Sequence, residues 1–316
     1  MIPDNAVRVE AYCSTANLGA GFDVFGLALN KYADRARVRI TNTGIVRIKA
    51  LGPYSRELPR APTKNSAGPP ARALLDRSGL NTGVEITIEK NIPPGLGLGS
   101  SGATAAACTK AMNHLLQLDL SNNELVRTAS LGEAAASGFA HPDNVGASLL
   151  GGFVICYGNP LRTVCVKPPA KLSIVVVSPK TRLPKNKTGL ARKLVPQKIG
   201  VRQAVLNIGH ASAIALGFAN GDIDLIGSGM EDAIAEPYRE SLVPGYRAMK
   251  KAALANHASG VAISGAGPSV VAFVDKTKQD PKKIARAMVR ELSKNNVEAT
   301  FFVTSPAGGA RIIRSS

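Results

Sequence analysis

A glycine-rich segment, NIPPGLGLGSSGATAAA at residues 91–107, is the part of the sequence best suited to phosphate chemistry. The preceding GVEITIEK alternates apolar and polar residues, the period of a half-buried strand, and the alanine-rich run that follows favours a helix. A loop between such elements presents unpaired backbone N–H groups and the positive end of the helix dipole, which together bind anions. Glycine allows close backbone approach, and Ser100 and Ser101 add hydroxyls for a phosphate oxygen or a magnesium ion.

Three phosphate-binding patterns can be compared with this loop. The Walker P-loop requires a lysine after its last glycine, and no lysine follows a glycine here. The dinucleotide pattern G-x-G-x-x-G is matched by Gly97, Gly99 and Gly102, but it also requires an acid about 20 residues later, at the end of a strand. The candidate acid, Asp119, lies in LDLSNNEL, which is typical of a helix start. The third pattern, P-x-x-x-G-L-G-S-S-[AG], is matched from Pro93 onward; a glycine turn with two N-capping serines is the alternative interpretation.

Five segments resemble the GHMP kinases, the family of galactokinase, homoserine kinase, mevalonate kinase and phosphomevalonate kinase. The glycine segment resembles the ATP-binding motif of that family, STANLGAGFDVFGLAL at 14–29 resembles its N-terminal substrate motif, and AISGAGPSVVAF at 262–273 resembles its C-terminal glycine motif. Two further segments, GEAAASGFAHPDNV at 132–145 and AEPYRESLVPGY at 235–246, resemble motifs of the homoserine kinase branch.

The resemblance implies an α+β fold in two parts and a site for ATP with Mg²⁺. A ribosomal-protein-like α/β half is expected at residues 1–168, and a ferredoxin-like α+β half that completes the substrate site at residues 169–316. Ser101 and Glu133 are expected to hold the magnesium ion. The residues implied to bind ATP are Asn65, Pro93, Pro94, Gly95, Leu96, Gly97, Leu98, Gly99, Ser100, Ser101, Gly102 and Ala103.

The resemblance also implies that L-homoserine is the acceptor, in a step of threonine biosynthesis. The residues implied to bind it are Asn17, Asp23, His141, Asp143, Asn144, Thr188, Arg192, Arg239, Gly265 and Ala266. The two arginines would take the carboxylate, since a guanidinium forms two-pronged pairs with carboxylates. Direct in-line transfer without a dedicated base is expected, with a catalytic set of Asn144, Glu133, Ser101 and Asp23. A kinase of another acceptor and a basic nucleic-acid-binding relative remain open alternatives.

The surrounding sequence predicts the elements that position these residues. Strands are predicted at 7–13, 36–40, 44–51, 83–90, 151–158, 163–168, 172–179, 260–264, 269–274 and 298–305. Helices are predicted at 65–80, 103–116, 121–138, 201–220, 223–239 and 280–292. Ser121 and Glu124 have capping-box spacing, while Gly79 and Gly138 suit left-handed helix ends. Because strands and helices do not alternate regularly, the pattern favours an α+β fold.

Composition restricts the class of partner. The formal charge of the 316 residues is +17, and eleven basic residues with no acidic one lie between Arg162 and Arg202, which favours an anionic partner such as a nucleotide, nucleic acid or lipid. Aromatic residues are only 4% of the chain, which disfavours base stacking. Scattered cysteines and an N-terminus without signal-peptide features predict a cytoplasmic protein with no membrane partner. The resemblance implies a homodimer.

Overall fold

The computed structural model describes residues 6–181 and 187–313, which form eleven strands and ten α-helices. The strands are β1 (Ala6–Asn17), β2 (Gly21–Thr41), β3 (Val46–Leu51), β4 (Gly83–Glu89), β5 (Phe153–Tyr157), β6 (Arg162–Val166), β7 (Leu172–Pro179), β8 (Gly260–Ile263), β9 (Val270–Asp275), β10 (Ala299–Thr304) and β11 (Arg311–Ile313). The helices are α1 (Gly68–Ser78), α2 (Ser100–Leu115), α3 (Asn122–Ser137), α4 (Pro142–Leu150), α5 (Lys187–Lys193), α6 (Val201–Asn220), α7 (Ile223–Ser228), α8 (Glu236–Arg239), α9 (Tyr246–Ala255) and α10 (Pro281–Ser293). The mixture of helices with mainly antiparallel sheets is an α+β fold, as predicted. None of the helices in these two ranges is long and apolar enough to cross a bilayer.

The first sheet is organised around the long strand β2. β1 pairs antiparallel with β2, while the other edge of β2 pairs with β5 near its start and with β4 near its end. β3 lies parallel to β4, β6 pairs with β5, and β11 pairs with β1. Val84, Ile86 and Ile88 of β4 are buried in the core because side chains alternate between the faces of a strand. α2 packs on both β1 and β2, so its first turn lies beside the chain reversal between them.

The second sheet has the order β10-β7-β9-β8 and is antiparallel throughout. Side-chain alternation on the buried strand β7 directs Val175 and Val177 to a cluster with α9 and α10, and Ile174 to the main core shared with the first sheet. In that main core, the rings of Phe153 on β5 and Phe218 on α6 stack with centroids 3.9 Å apart. Residues of both sheets are therefore held by one continuous core.

Several local predictions are confirmed. α1 ends before Gly79, which has φ +67°, and α3 ends before Gly138, which has φ +82°. Ser121 and Glu124 form the capping box that their spacing predicts, each side chain accepting a hydrogen bond from the other's backbone N–H. Helix ends with such specific side-chain or backbone requirements are visible in a single sequence.

The helix predicted over residues 223–239 is wrong as a continuous element. α7 ends at Ser228, and α8 begins only at Glu236. The Asp232 carboxylate accepts hydrogen bonds from the backbone N–H groups of Ile234 (2.7 Å), Ala235 (3.1 Å) and Glu236 (2.8 Å), and this local turn competes with a helix. The prediction also missed α4, α5, α9, the start of β2 and β11.

The division of the chain at residue 168 stays a prediction. The chain leaves the first sheet at the end of β6, Val166, and enters the second sheet at Leu172. β11 then returns to the first sheet, where Ile312 pairs with Val9. The middle of the predicted basic stretch, residues 182–186, lies outside the described residues, as do residues 1–5 and 314–316.

Candidate active site

The glycine loop runs from β4 to α2 and is packed against two other parts of the chain. Gly97 and Gly99 have φ of +77° and +61°, and a Cβ on them would collide with the Ser264 carbonyl and the Ser14 hydroxyl, respectively. The Ser14 N–H donates to the Leu98 carbonyl (3.1 Å), and the Ser264 hydroxyl donates to the Gly97 carbonyl (2.7 Å). Glycine is therefore required for the loop's conformation and for its close packing. The start of α2 is thereby held against β1 and the loop after β8.

Lys90 is buried beneath the first turn of α2. Its ammonium donates to the carboxylate of Asp34, to the Ser100 carbonyl (2.5 Å) and to the Thr104 hydroxyl (2.8 Å). The other oxygen of Asp34 accepts the backbone N–H groups of residues 91 and 92, at 2.8 and 3.0 Å. Burial lowers the pKa of Lys90, and the charge of Asp34 acts in the opposite direction. This buried pair fixes both ends of the glycine loop.

A cleft of about 390 Å³ opens at the N-terminus of α2. Most of the residues predicted for the site line it, and they come from both halves of the chain: Asn17, Asp23, Pro94, Gly95, Gly97, Leu98, Gly99, Ser100, Ser101, Glu133, His141, Asp143, Asn144, Thr188, Arg239, Gly265 and Ala266. The cleft is also lined by residues that the sequence analysis missed: Ala16, Glu57, Leu58, Pro59, Lys64, Ser66, Lys90 and Lys187.

Six of the predicted site residues lie outside the cleft lining: Asn65, Pro93, Leu96, Gly102, Ala103 and Arg192. The side chain of Asn65 is buried, where it donates to the Pro59 carbonyl (2.8 Å) and accepts from the N–H of Ala67 (3.0 Å), so its amide stabilises the entry to α1. Arg192 reaches the cleft through the carboxylate of Asp23, to which its guanidinium donates.

Ser101 and Glu133 bring oxygen donors from α2 and α3 together in the cleft. Glu133 is 5% exposed; its burial raises the pKa of the carboxyl, and a hydrogen bond with Ser101 acts against that rise. Carboxylate and hydroxyl oxygens are hard donors of the kind that Mg²⁺ prefers. Within residues 6–181 and 187–313, no group of three or more His, Cys, Asp or Glu could hold a metal.

The chain reversal between β1 and β2 is strained and carries two of the predicted residues. Asn17 and Asp23 have φ of +71° and +58°, which costs on the order of 1–3 kcal/mol for each non-glycine residue. The Asn17 amide donates to the Gly265 carbonyl (2.8 Å) and accepts the Asp23 N–H (3.2 Å), and these bonds hold the turn. Asp23 then faces Arg192 on one side and His141 Nδ1, at 3.9 Å, on the other.

The first turn of α4 places two more polar groups in the cleft. The backbone N–H of Asn144 donates to the Asp143 carboxylate (2.7 Å), and the Asn144 carbonyl oxygen Oδ1 accepts from the Ser14 hydroxyl (3.0 Å). Burial, with the nearby charge of Asp23, raises the pKa of Asp143 to about 7. Gly102 packs against Asn144, so the amide of Asn144 is held beside the start of α2.

Arg239 is a buried cation of the cleft, 5% exposed on α8. Its Nε donates to the Ala191 carbonyl (3.0 Å), and its guanidinium lies 4.6 Å from the ring centre of Phe22. Glu236, on the same helix, accepts hydrogen bonds from the Tyr246 hydroxyl and from the Ile263 N–H (3.1 Å). The EPYR segment is therefore bonded to α9 and to the end of β8. The loop that follows β8, residues 264–269, is the second glycine loop of the cleft.

Two family models match this chain. The GHMP kinases N terminal domain matches residues 67–152, and the GHMP kinases C terminal domain matches residues 214–294. The homoserine kinase of Sulfurisphaera tokodaii is 38% identical over 97% of this chain and 99% of its own length. The homoserine kinase of Haloarcula marismortui is 39% identical, again over 97% of this chain and 99% of its own length.

Solved structures are similar over nearly the whole chain. A homoserine kinase from Cytophaga hutchinsonii superposes with a TM-score of 0.89 at 34% identity, covering 98% of each chain. The mevalonate diphosphate decarboxylase of Staphylococcus aureus has a TM-score of 0.69 at 17% identity, covering 98% of each chain, which shows a common fold.

Proposed function

This chain belongs to the GHMP kinase family, and from that premise we propose that it transfers the terminal phosphoryl group of ATP to the side-chain hydroxyl of L-homoserine. The product is O-phospho-L-homoserine, an intermediate of threonine biosynthesis. The observation that carries the proposal is the arrangement of the cleft: the glycine loop lies beside Arg239, Asp23 and Asp143, and Arg192 reaches the cleft through Asp23, a set of charges that suits an amino-acid zwitterion.

The nucleotide half of the site is the start of α2. The loop from Pro93 to Ala103 would receive the triphosphate, with backbone N–H groups and the positive end of the α2 dipole directed to its oxygens. Ser101 and Glu133 would hold the magnesium ion that accompanies ATP, since both are hard oxygen donors in the cleft. When bound, that ion supplies charge neutralisation for the phosphates.

The acceptor half of the site lies between α4, α5 and α8. Arg192 and Arg239 would bind the carboxylate of homoserine, while Asp23 and Asp143 would face its ammonium. The hydrogen bond from Arg192 to Asp23 supports this assignment, because it brings together the two opposite charges that the ends of a zwitterion require. Asn17, His141, Thr188, Gly265 and Ala266 would complete the contact surface.

Transfer in this site needs positioning more than covalent help from the protein. The hydroxyl oxygen of homoserine forms a bond to the terminal phosphorus while the bond from that phosphorus to the bridging oxygen of ATP breaks. ADP leaves with the electron pair, and the hydroxyl proton passes to an oxygen of the transferred phosphoryl group. Asn144 would hold the reacting hydroxyl through its amide, and the reaction would need no dedicated base.

A panel of acceptors tests the reaction. We would measure ADP release with ATP and magnesium fixed and with homoserine, threonine, mevalonate, galactose or no acceptor. Release with homoserine alone is the expected result. Release with another acceptor would keep the kinase but reassign Arg192 and Arg239. No release with any acceptor would contradict the proposal. Salt-dependent binding of RNA would then test the alternative, a basic nucleic-acid-binding relative.

The proposed assembly is a homodimer formed through α6. Exposed apolar side chains follow one stripe of this helix, at Val201, Val205, Ile208 and Leu216. Residues 203–221 carry no Asp, Glu, Lys or Arg, whereas the chain as a whole has a charge of +17. Two copies of so basic a chain repel each other least at such a neutral face, and packing the two stripes removes them from water.

We place the enzyme in the cytoplasm, which is supported by its free cysteines.

A further inference from the structure

Lys187 is a buried lysine that lines the cleft. It is the first residue of α5, next to Thr188, and it is 8% exposed while lining the cleft. Its ammonium donates to the carbonyl of Gly95 in the glycine loop (2.6 Å) and to the carbonyl of Gly267 in the second glycine loop. A single cation therefore contacts the two glycine loops, one from each half of the chain.

The ammonium of Lys187 is surrounded by carbonyl oxygens and lies near a second cation. In the part of the chain that the structure describes, no carboxylate forms an ion pair with it, and the charged group that acts on it most is Arg239, which has the same sign. Burial and Arg239 together lower the pKa of Lys187 to about 7. Carbonyl oxygens compensate only part of the cost of burying a charge, so an anion entering the cleft would stabilise this ammonium.

Lys187 places beside the glycine loop an ammonium that the loop's own sequence lacks. In Walker loops, a lysine that follows the last glycine reaches the terminal phosphates of the nucleotide. Here the loop passes from Gly99 into the alanine-rich helix α2 with no lysine in its first turn, and the ammonium beside the loop is supplied by α5 of the other half. Two of the three ammonium N–H groups donate to the two carbonyls, and among the residues at 6–181 and 187–313 no third acceptor contacts the ammonium, so one N–H can serve a ligand.

We propose that Lys187 binds the phosphoryl group that is transferred, first as the terminal phosphate of ATP and then as the phosphate ester of the product. This inference rests on the proposed kinase function. The ammonium keeps its proton throughout and donates its third N–H to an oxygen of that phosphate, so no proton or bond at Lys187 changes during transfer. Its two carbonyl contacts place it where the nucleotide loop and the acceptor half of the cleft meet.

The test compares binding of ATP and of ADP, which differ by this phosphoryl group, to the full chain with magnesium. Calorimetry on Lys187→Met is expected to show about a 10- to 100-fold loss of ATP affinity, the loss of one charge-assisted hydrogen bond, with ADP affinity within about 3-fold of the original chain. Lys187→Arg keeps the charge and is expected to recover part of the ATP affinity. The matched control is Lys193→Met, the same change at an exposed lysine of the same helix, which should alter neither affinity.

The outcomes separate this inference from the function on which it rests. Equal losses of ATP and ADP affinity in Lys187→Met would mean that Lys187 only ties the two loops together, and an unchanged ATP affinity would remove any phosphate role; either result overturns the inference. If Lys187→Met does not fold, the ratio of ATP to ADP affinity is measured for Lys187→Arg and Lys187→Gln. A ratio in Lys187→Gln equal to that of the original chain overturns the inference. Failure of the original chain to bind ATP would instead overturn the proposed function, and with it this inference.

Discussion

Replacing Lys90 with methionine tests how the fold holds the phosphate loop. Lys90 is 1% exposed, and its ammonium donates to Asp34, to the Ser100 carbonyl and to the Thr104 hydroxyl. Methionine is of similar length but removes the charge and all three donors, which leaves the Asp34 carboxylate buried without its cation. Removing one partner of a buried pair typically costs about 3–5 kcal/mol, so the free energy of unfolding should fall by about that amount.

Urea unfolding followed by circular dichroism would measure this loss. Lys49→Met is the matched control, because Lys49 is exposed and its ion pair with Glu85 should contribute less than about 1 kcal/mol. Adding Asp34→Asn to Lys90→Met should recover part of the stability, since an asparagine oxygen can still accept the N–H groups of residues 91 and 92 without a buried charge. If the free energy of unfolding of Lys90→Met lies within about 1 kcal/mol of that of the original chain, the buried pair does not stabilise the loop as argued. A further loss of stability in the double variant would exclude it as well.

Four further predictions concern the cleft and α6. Glu133→Gln should lower kcat by about 100-fold or more at saturating ATP and magnesium while thermal unfolding stays nearly unchanged, and unaltered turnover would exclude it as a magnesium ligand. Arg239→Ala should raise the KM for homoserine about 10-fold or more and the KM for ATP by less than about 3-fold; equal rises would argue against carboxylate binding. The raised pKa of Asp143, about 7, means that the folded chain holds a proton that the unfolded chain has released between pH 4 and 7. This carboxyl therefore adds stability at low pH that is lost at about 1.4 kcal/mol per pH unit as the pH rises toward 7, and Asp143→Asn should abolish that slope in urea titrations at several pH values. Ile208→Lys should convert a dimer to a monomer in sedimentation experiments without loss of the fold, and a dimer that persists would place the interface elsewhere.

Much of the fold was predictable where the physical requirement is local. The ends of α1 and α3 follow from Gly79, Gly138 and the Ser121–Glu124 box, and the alternation of β4 follows from three buried aliphatic residues. The glycine loop is visible because close packing against Ser14 and Ser264 excludes any side chain there. Elements that depend on distant partners were missed: α4 begins at Pro142 within a motif of polar residues, and β11 gains its place by pairing with β1.

Two of the missed cleft residues, Lys90 and Lys187, are cations whose partners lie far away in sequence. Lys90 continues the buried register of Val84, Ile86 and Ile88, and a lysine on that face was a usable signal of a buried ion pair. Lys187 had no such signal, because it is one of eleven basic residues between Arg162 and Arg202. Its importance appears only once α5 is packed against both glycine loops.

Phosphorus NMR of the reaction mixture would detect the phosphorylated side-chain oxygen of homoserine itself. With ATP, magnesium and L-homoserine, we expect the signal of the terminal phosphate of ATP to decline and a phosphate monoester signal to appear. The phosphorus of that ester should couple to the side-chain methylene protons of homoserine. Glu133→Gln should abolish that signal. Inorganic phosphate as the sole new species, or an ester on another added molecule, would mean that homoserine is not the acceptor.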